Sequence, residues 1–232
     1  MGRKPRNLRG NRAGLGALGG ALLLAACATT PPFPPQAHYV ALGSSFAAGA
    51  GIPPLATDRP ARCGASQLSY ARLLAADLGL ALSDASCGGA TPAHVLSPWN
   101  ELPAQIDAVT AETRLVTITI AGNELNYMGL LFAASCHSGT RDPRMVDPAT
   151  GNCRAVPLPD PAAYQAVEDS LATLLAAIRA RAPQARVVLV QYLALVPAAD
   201  CPAAPLLPEH AAAGRELAQG LAAASTRAAA RA

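Results

Sequence analysis

The chain has 232 residues, 51% of them hydrophobic, 14% charged and only 4% aromatic, enough for one sizeable α/β domain with a buried core. The formal charge of +3 arises at the start: Arg3, Lys4, Arg6, Arg9 and Arg12 fall in residues 1–26, which hold no acid, and the remainder carries 13 basic against 15 acidic residues. No basic patch interleaved with aromatics is present, so the pattern of a nucleic-acid-binding domain is excluded.

The basic start runs into an apolar segment, "AGLGALGGALLLAA" (Ala13 to Ala26). It is too short for a membrane-spanning helix, which needs about 20 apolar residues, and has the layout of an export signal. The junction "LLAAC" (Leu23 to Cys27) resembles a bacterial lipobox. That resemblance implies a lipidated Cys27 and a membrane-anchored protein of the cell envelope, with Ala28 pointing by analogy to the outer membrane. The alternative is an ordinary secretory signal with an incidental cysteine. "ATTPPFPPQ" (Ala28 to Gln36) follows as a stiff, proline-rich tether. The expected organisation is a signal over 1–26, a tether over 27–36 and a domain over 37–232.

The domain reads as alternating strands and helices. "AHYVALG" (Ala37 to Gly43) is a short β-rich run. "QLSYARLLAADLGL" (Gln67 to Leu80) has helical spacing, with Leu68, Ala71, Leu74 and Ala75 on one face. "RLVTITIAG" (Arg114 to Gly122) is a β-branched strand. A helix is predicted from Pro161 to Pro183, bounded by prolines. "ARVVLVQYLALV" (Ala185 to Val196) reads as an apolar strand covered on both faces, and Pro208 to Ala232 as a final helix. Such alternation predicts a parallel sheet between helical layers, with sites beyond the carboxyl ends of the strands.

Three loops fall at such places. In Gly43-Ser44-Ser45-Phe46 a serine can present its hydroxyl at a helix N-terminus with its own N–H available to an oxyanion; the alternative is that Ser44 or Ser45 only caps the helix. In "CGGAT" (Cys87 to Thr91) paired glycines let a backbone N–H approach a ligand. In "ITIAGNELNY" (Ile118 to Tyr127) an asparagine follows the strand directly and can donate its amide to a developing oxyanion, or cap the next helix.

In order and setting these loops resemble the first three sequence blocks of the SGNH hydrolases, also called GDSL-type esterases and lipases, and among them the secreted multi-disulfide type. Gly43-Ser44-Ser45 matches Gly-Asp-Ser, Gly89 the second-block glycine, and Gly122-Asn123-Glu124 matches Gly-Asn-Asp. The resemblance implies a three-layer α/β/α sandwich with a parallel, flavodoxin-like sheet. It implies Ser45 as nucleophile, and an oxyanion hole of the Ser45 N–H, the Gly89 N–H and the Asn123 amide. It implies no metal or cofactor, and a small ester, lipid or acylated sugar as substrate. Ser44 and Glu124 depart from the family's aspartates; a swapped reading makes Ser44 the nucleophile.

A serine nucleophile needs a base, usually a histidine oriented by a third group, which the family supplies from a late Asp-x-x-His. The histidines here are His38, His94, His137 and His210, and the residues three positions before them are Pro35, Thr91, Ala134 and Leu207. His38 opens the first strand at the end away from the serines, His94 follows the glycine loop, His137 adjoins Cys136, and His210 reads as an exposed first-turn histidine. Export favours disulfides. Cys136 and Cys153 bracket a polar loop and are expected to pair, as are Cys63 and Cys87, which leaves Cys201 over. In multi-disulfide relatives a cysteine at that place pairs with one near the catalytic histidine. The expectation is therefore an SGNH hydrolase whose last part, with acid and base, is missing. The competing expectation is a non-catalytic lipoprotein of the same fold that binds an acylated or carbohydrate ligand.

Overall fold

The structure, a computed structural model, describes residues 1–2, 32–140, 142–155, 158–198, 201 and 206–232. Residues 3–26 of the predicted export signal, Cys27 and the first part of the tether, to residue 31, lie outside the described residues. No helix among the described residues is long and apolar enough to cross a membrane.

Four parallel strands form the sheet: β1 (His38–Gly43), β2 (Ala81–Asp84), β3 (Thr113–Thr119) and β4 (Arg186–Leu189), in the order β2-β1-β3-β4. Among the described residues six α-helices accompany them: α1 (Ser45–Ala48), α2 (Tyr70–Leu78), α3 (Pro92–Leu96), α4 (Tyr127–Ser135), α5 (Pro161–Arg181) and α6 (Pro208–Arg231). The period-two alternation of the central strands sorts their side chains between two cores. Tyr39, Ala41 and Leu115 pack with Ala71 and Ala75 of α2 on one face. Val40, Leu42, Val116 and Ile118 pack with α3, α4, α5 and α6 on the other. This is the expected α/β/α layering.

Local chemistry sets the long helices. Asp160 caps α5 by accepting from the Ala163 N–H at 2.8 Å, and Pro161 takes its first position. Val167, Leu171, Leu174 and Ile178 recur at helical spacing and are buried. On α6, Leu217, Leu221, Ala224 and Ala228 make the matching stripe. The two helices approach closely because Gly220 leaves room for the Tyr164 ring: a Cβ there would lie 2.5 Å from it. The buried Glu168 fastens them, accepting from Arg227 at 2.6 Å and Arg231 at 3.1 Å. These contacts, Arg227 first, hold its carboxyl below the usual range.

Three sequence expectations are corrected, and one strand was given no bounds from the sequence. The predicted strand Ala185 to Val196 is only four residues long, and it is an edge strand, with Val188 39% exposed; its second face is not covered. Strand β3 ends at Thr119, because Ala121 turns into the left-handed region at φ 80°. Helix α2 begins at Tyr70, so Leu68 precedes it and stands exposed, not on the helical face. Strand β2 has no predicted counterpart: "ALSD" carries no β-branched residue.

Both expected disulfides form, Cys63–Cys87 and Cys136–Cys153, and Cys201 is a free thiol. The first ties the turn at Ala61–Cys63 to the loop after β2, where the Gly88 N–H donates to the Cys63 carbonyl at 2.9 Å.

The last residue of β1 is the tightest point of the sheet. Gly43 sits at φ 130°, and a Cβ there would lie 2.3 Å from the Thr119 carbonyl oxygen and 2.9 Å from the Ala47 Cβ. The buried Gln105 amide braces it from the other side, accepting from the Gly43 N–H at 2.7 Å and donating to its carbonyl at 3.0 Å. Gly43→Ala combines a disallowed φ with a backbone clash and is expected to cost about 3 kcal/mol or more in urea unfolding. Gln105→Ala, which leaves the buried Gly43 N–H without this partner, is expected to cost about 1–3 kcal/mol in the same measurement.

Candidate active site

Three loops meet beyond the carboxyl ends of β1, β2 and β3, and backbone hydrogen bonds bind them into one surface. The Cys87 N–H donates to the Gly43 carbonyl at 3.0 Å, and the Ser44 N–H donates to the Thr119 carbonyl at 2.9 Å. The Asn123 side-chain amide donates to the Ala90 carbonyl at 2.8 Å. The structure therefore brings together the three segments in which Ser45, Gly89 and Asn123 were picked out.

The adjacent serines face different surroundings. Ser44 is fully buried. Its hydroxyl pairs with the Tyr192 hydroxyl at 2.6 Å and donates to the Thr119 carbonyl at 3.5 Å. Ser45 is partly exposed at the first position of α1, and its hydroxyl makes no hydrogen bond among the described residues. Ser44 occupies the cap position of α1 without a side-chain cap bond, so the capping reading fails for it. Helix α1 is a single turn, so any help it gives an anion comes from free N–H groups more than from a long macrodipole.

The other two segments also present donors. Gly89 is exposed at φ 82°, and its N–H makes no hydrogen bond among the described residues. A Cβ at Gly89 would lie 3.3 Å from the Trp99 ring, so the side-chain-free position and the indole fit each other. Asn123 is exposed and does not cap α4; Asn126 holds that position. One of its two amide hydrogens serves Ala90, which leaves the second for a ligand. Glu124 is exposed on the same turn.

Sequence reasoning missed Tyr192. Its ring lies 4.5 Å from that of Phe46, between centroids, and edge-on to Tyr127 at 6.0 Å. It lies flat against Gly122, where a Cβ would meet it at 2.6 Å. Burial pushes the Tyr192 hydroxyl above its ordinary range, so it stays protonated as a hydrogen-bond partner for Ser44. The contact spans 148 residues, and Tyr192 lies past the end of β4, inside the stretch read as strand. The one available signal was a lone tyrosine hydroxyl in an apolar run.

None of the four histidines bonds to Ser45. His38 opens β1, whose six residues separate it from Gly43, about 17 Å at the usual strand rise; it is engaged with Ser83 at 3.0 Å and Thr113 at 3.0 Å. His94 closes the first turn of α3: its Nδ1 accepts from the Thr91 N–H at 3.1 Å, and its ring stacks on Trp99 at 4.2 Å. His137 and His210 lie against Ala133 and Ala134, at the end of α4 remote from Asn123. His210 is partly buried and packed against His137, so it is not the exposed first-turn residue expected from sequence. Beside the glycine loop a cavity of about 400 Å³ opens, lined by Arg59, Asp84, His94, Trp99, Leu102 and Gln105.

Residues 41–232 match the model of the GDSL-like lipase/acylhydrolase family. Lipase 2 of Streptomyces coelicolor is 32% identical over 175 residues, covering 72% of this chain and 56% of that protein. An esterase of Streptomyces scabiei is 30% identical over 215 residues, covering 78% of this chain and 59% of that protein. The chain thus spans less than two thirds of the length of either relative. In fold it resembles an extracellular lipase from Streptomyces rimosus, with a TM-score of 0.63 and 24% identity over 83% of this chain and 76% of the other. It likewise resembles a phospholipase A1 from Streptomyces albidoflavus, with a TM-score of 0.65 and 24% identity over 84% of this chain and 77% of the other. The matched region takes in all three loops and both disulfides, and the chain belongs to the GDSL-like lipase/acylhydrolase family.

Proposed function

We propose that this protein is a serine ester hydrolase of the cell envelope, acting through an acyl-enzyme on a small ester, lipid or acylated sugar. The observation that carries the reading is the division of labour between the two serines. Ser44 is buried with its hydroxyl committed to Tyr192, while Ser45 stands partly exposed with its hydroxyl uncommitted. Ser45 is the nucleophile of this reading. Its oxygen attacks the acyl carbon, the ester C–O bond breaks, and the proton given up by the Ser45 hydroxyl passes to the leaving oxygen, which departs as the alcohol. Water then attacks the acyl-enzyme, releases the acid and restores the Ser45 hydroxyl. The Ser45 N–H, the Gly89 N–H and the free Asn123 amide hydrogen receive the charge that develops on the carbonyl oxygen. Tyr192 and Ser44 act behind the nucleophile and hold its backbone. The family matched and the names of the relatives support the ester bond as the target.

Export through the segment 1–26, lipidation at Cys27 and a tether to residue 36 belong to the same proposal. Two disulfides in the domain favour an oxidising compartment.

One observation favours a second reading, a non-catalytic protein that binds an acylated or carbohydrate ligand at the same loops. No histidine bonds to Ser45 among the described residues, and a serine hydroxyl depends on such a base to react.

Hydrolysis of p-nitrophenyl butyrate by the full chain separates the two. The enzyme reading expects turnover that Ser45→Ala abolishes and Ser44→Ala spares in part. Asn123→Ala should lower kcat about 10²–10³-fold. Binding of the ester without turnover dependent on Ser45 would establish the second reading instead.

A further inference from the structure

A second cluster of functional groups lies away from the serine loops, where the C-terminal end of α4 meets the first turn of α6. Its positions are set by covalent structure. His137 directly follows Cys136, Arg154 directly follows Cys153, and the disulfide between those cysteines brings the two side chains to one rim. From the opposite side α6 presents His210, whose ring centroid lies 5.0 Å from that of His137. The N-terminus of α6 is tied to the same loop, since the Leu207 N–H donates to the Ser138 hydroxyl at 3.2 Å.

Three features single these groups out. His210 Nδ1 is buried with no hydrogen-bond partner among the described residues, whereas buried polar atoms are as a rule paired. The Arg154 guanidinium makes no ion pair among the described residues, unlike Arg227 and Arg231 further along α6. The three side chains line one cavity of about 260 Å³ whose other walls are apolar: Leu130, Ala133, Ala134, Ala155 and Ala213. No carboxylate lines it among the described residues. Nor does the cluster suit a metal ion, for no third His, Cys, Asp or Glu joins the histidines among the described residues.

We infer that this cavity binds a small amphipathic carboxylate, its anionic head between Arg154, His137 and His210 and its short apolar tail against Leu130 and the alanines. A guanidinium and two imidazoles supply charge-assisted donors to a carboxylate. The apolar floor distinguishes this site from a simple phosphate cradle. The inference is independent of the proposed chemistry at Ser45, since it needs no ester and no turnover.

The test is a titration of the full chain with sodium hexanoate at pH 6, following the imidazole C–H resonances of His137 and His210. The expected result is saturable movement of both, with acetate and inorganic phosphate at least about tenfold weaker than hexanoate. Arg154→Gln, at an exposed position, and His210→Gln, at a partly exposed one, should each weaken hexanoate about tenfold, the loss of one charge-assisted bond. Absence of saturable movement would overturn the inference. Acetate or phosphate binding as tightly as hexanoate would overturn the amphipathic assignment. Hexanoate binding unchanged in both variants would place the ligand elsewhere and overturn it too.

Discussion

The site depends on what happens at one residue with no side chain. Gly43 ends β1 with the Thr119 carbonyl 2.3 Å from where a Cβ would stand, and Gln105 holds both its N–H and its carbonyl. Because the chain passes so close to β3, the next residue, Ser44, is driven into the interior and bonds to Thr119 and Tyr192. The following residue then emerges partly exposed on the sheet's carboxyl edge. A bulkier residue at 43 would separate β1 from β3, and with it the serine loop from the asparagine loop.

A second constraint works from behind. Tyr192 fills the space left open at Gly122, packs beside Phe46, and bonds to Ser44. Glycine, serine and tyrosine thus form one interlocking unit in which Ser44 stands at the position that the resemblance in sequence matches to an aspartate. The substitution exchanges a charge for a neutral hydroxyl pair, which a buried position tolerates without a counter-ion. Tyr192 belongs to the loop after β4, so the least regular stretch of the sheet edge helps set the rigid centre.

How much of this was legible in the sequence varies with the physics. β1 and β3 were readable because β-branched and apolar residues feed two packed faces, and α5 because its cap and proline lie in the chain itself. Leu68 and the stretch after Leu189 were misread because apolar character alone does not say whether a neighbour covers it. The Ser44–Tyr192 contact was not readable, because a hydroxyl in an apolar run does not name a partner 148 residues away. Nor was the meeting of His137 with His210. The lack of Asp-x-x-His was plain from the sequence, and the geometry adds that the four histidines lie at other places, none bonded to Ser45 among the described residues.

The central claim is that the fold commits Ser44 to the interior and leaves Ser45 to react. Its most direct test is to treat the full chain with a fluorophosphonate and map the adduct by peptide mass spectrometry. The account predicts modification of Ser45 well ahead of every other serine, and none of Ser44. An adduct on Ser44, or modification of Ser45 no faster than that of other exposed serines, would contradict it.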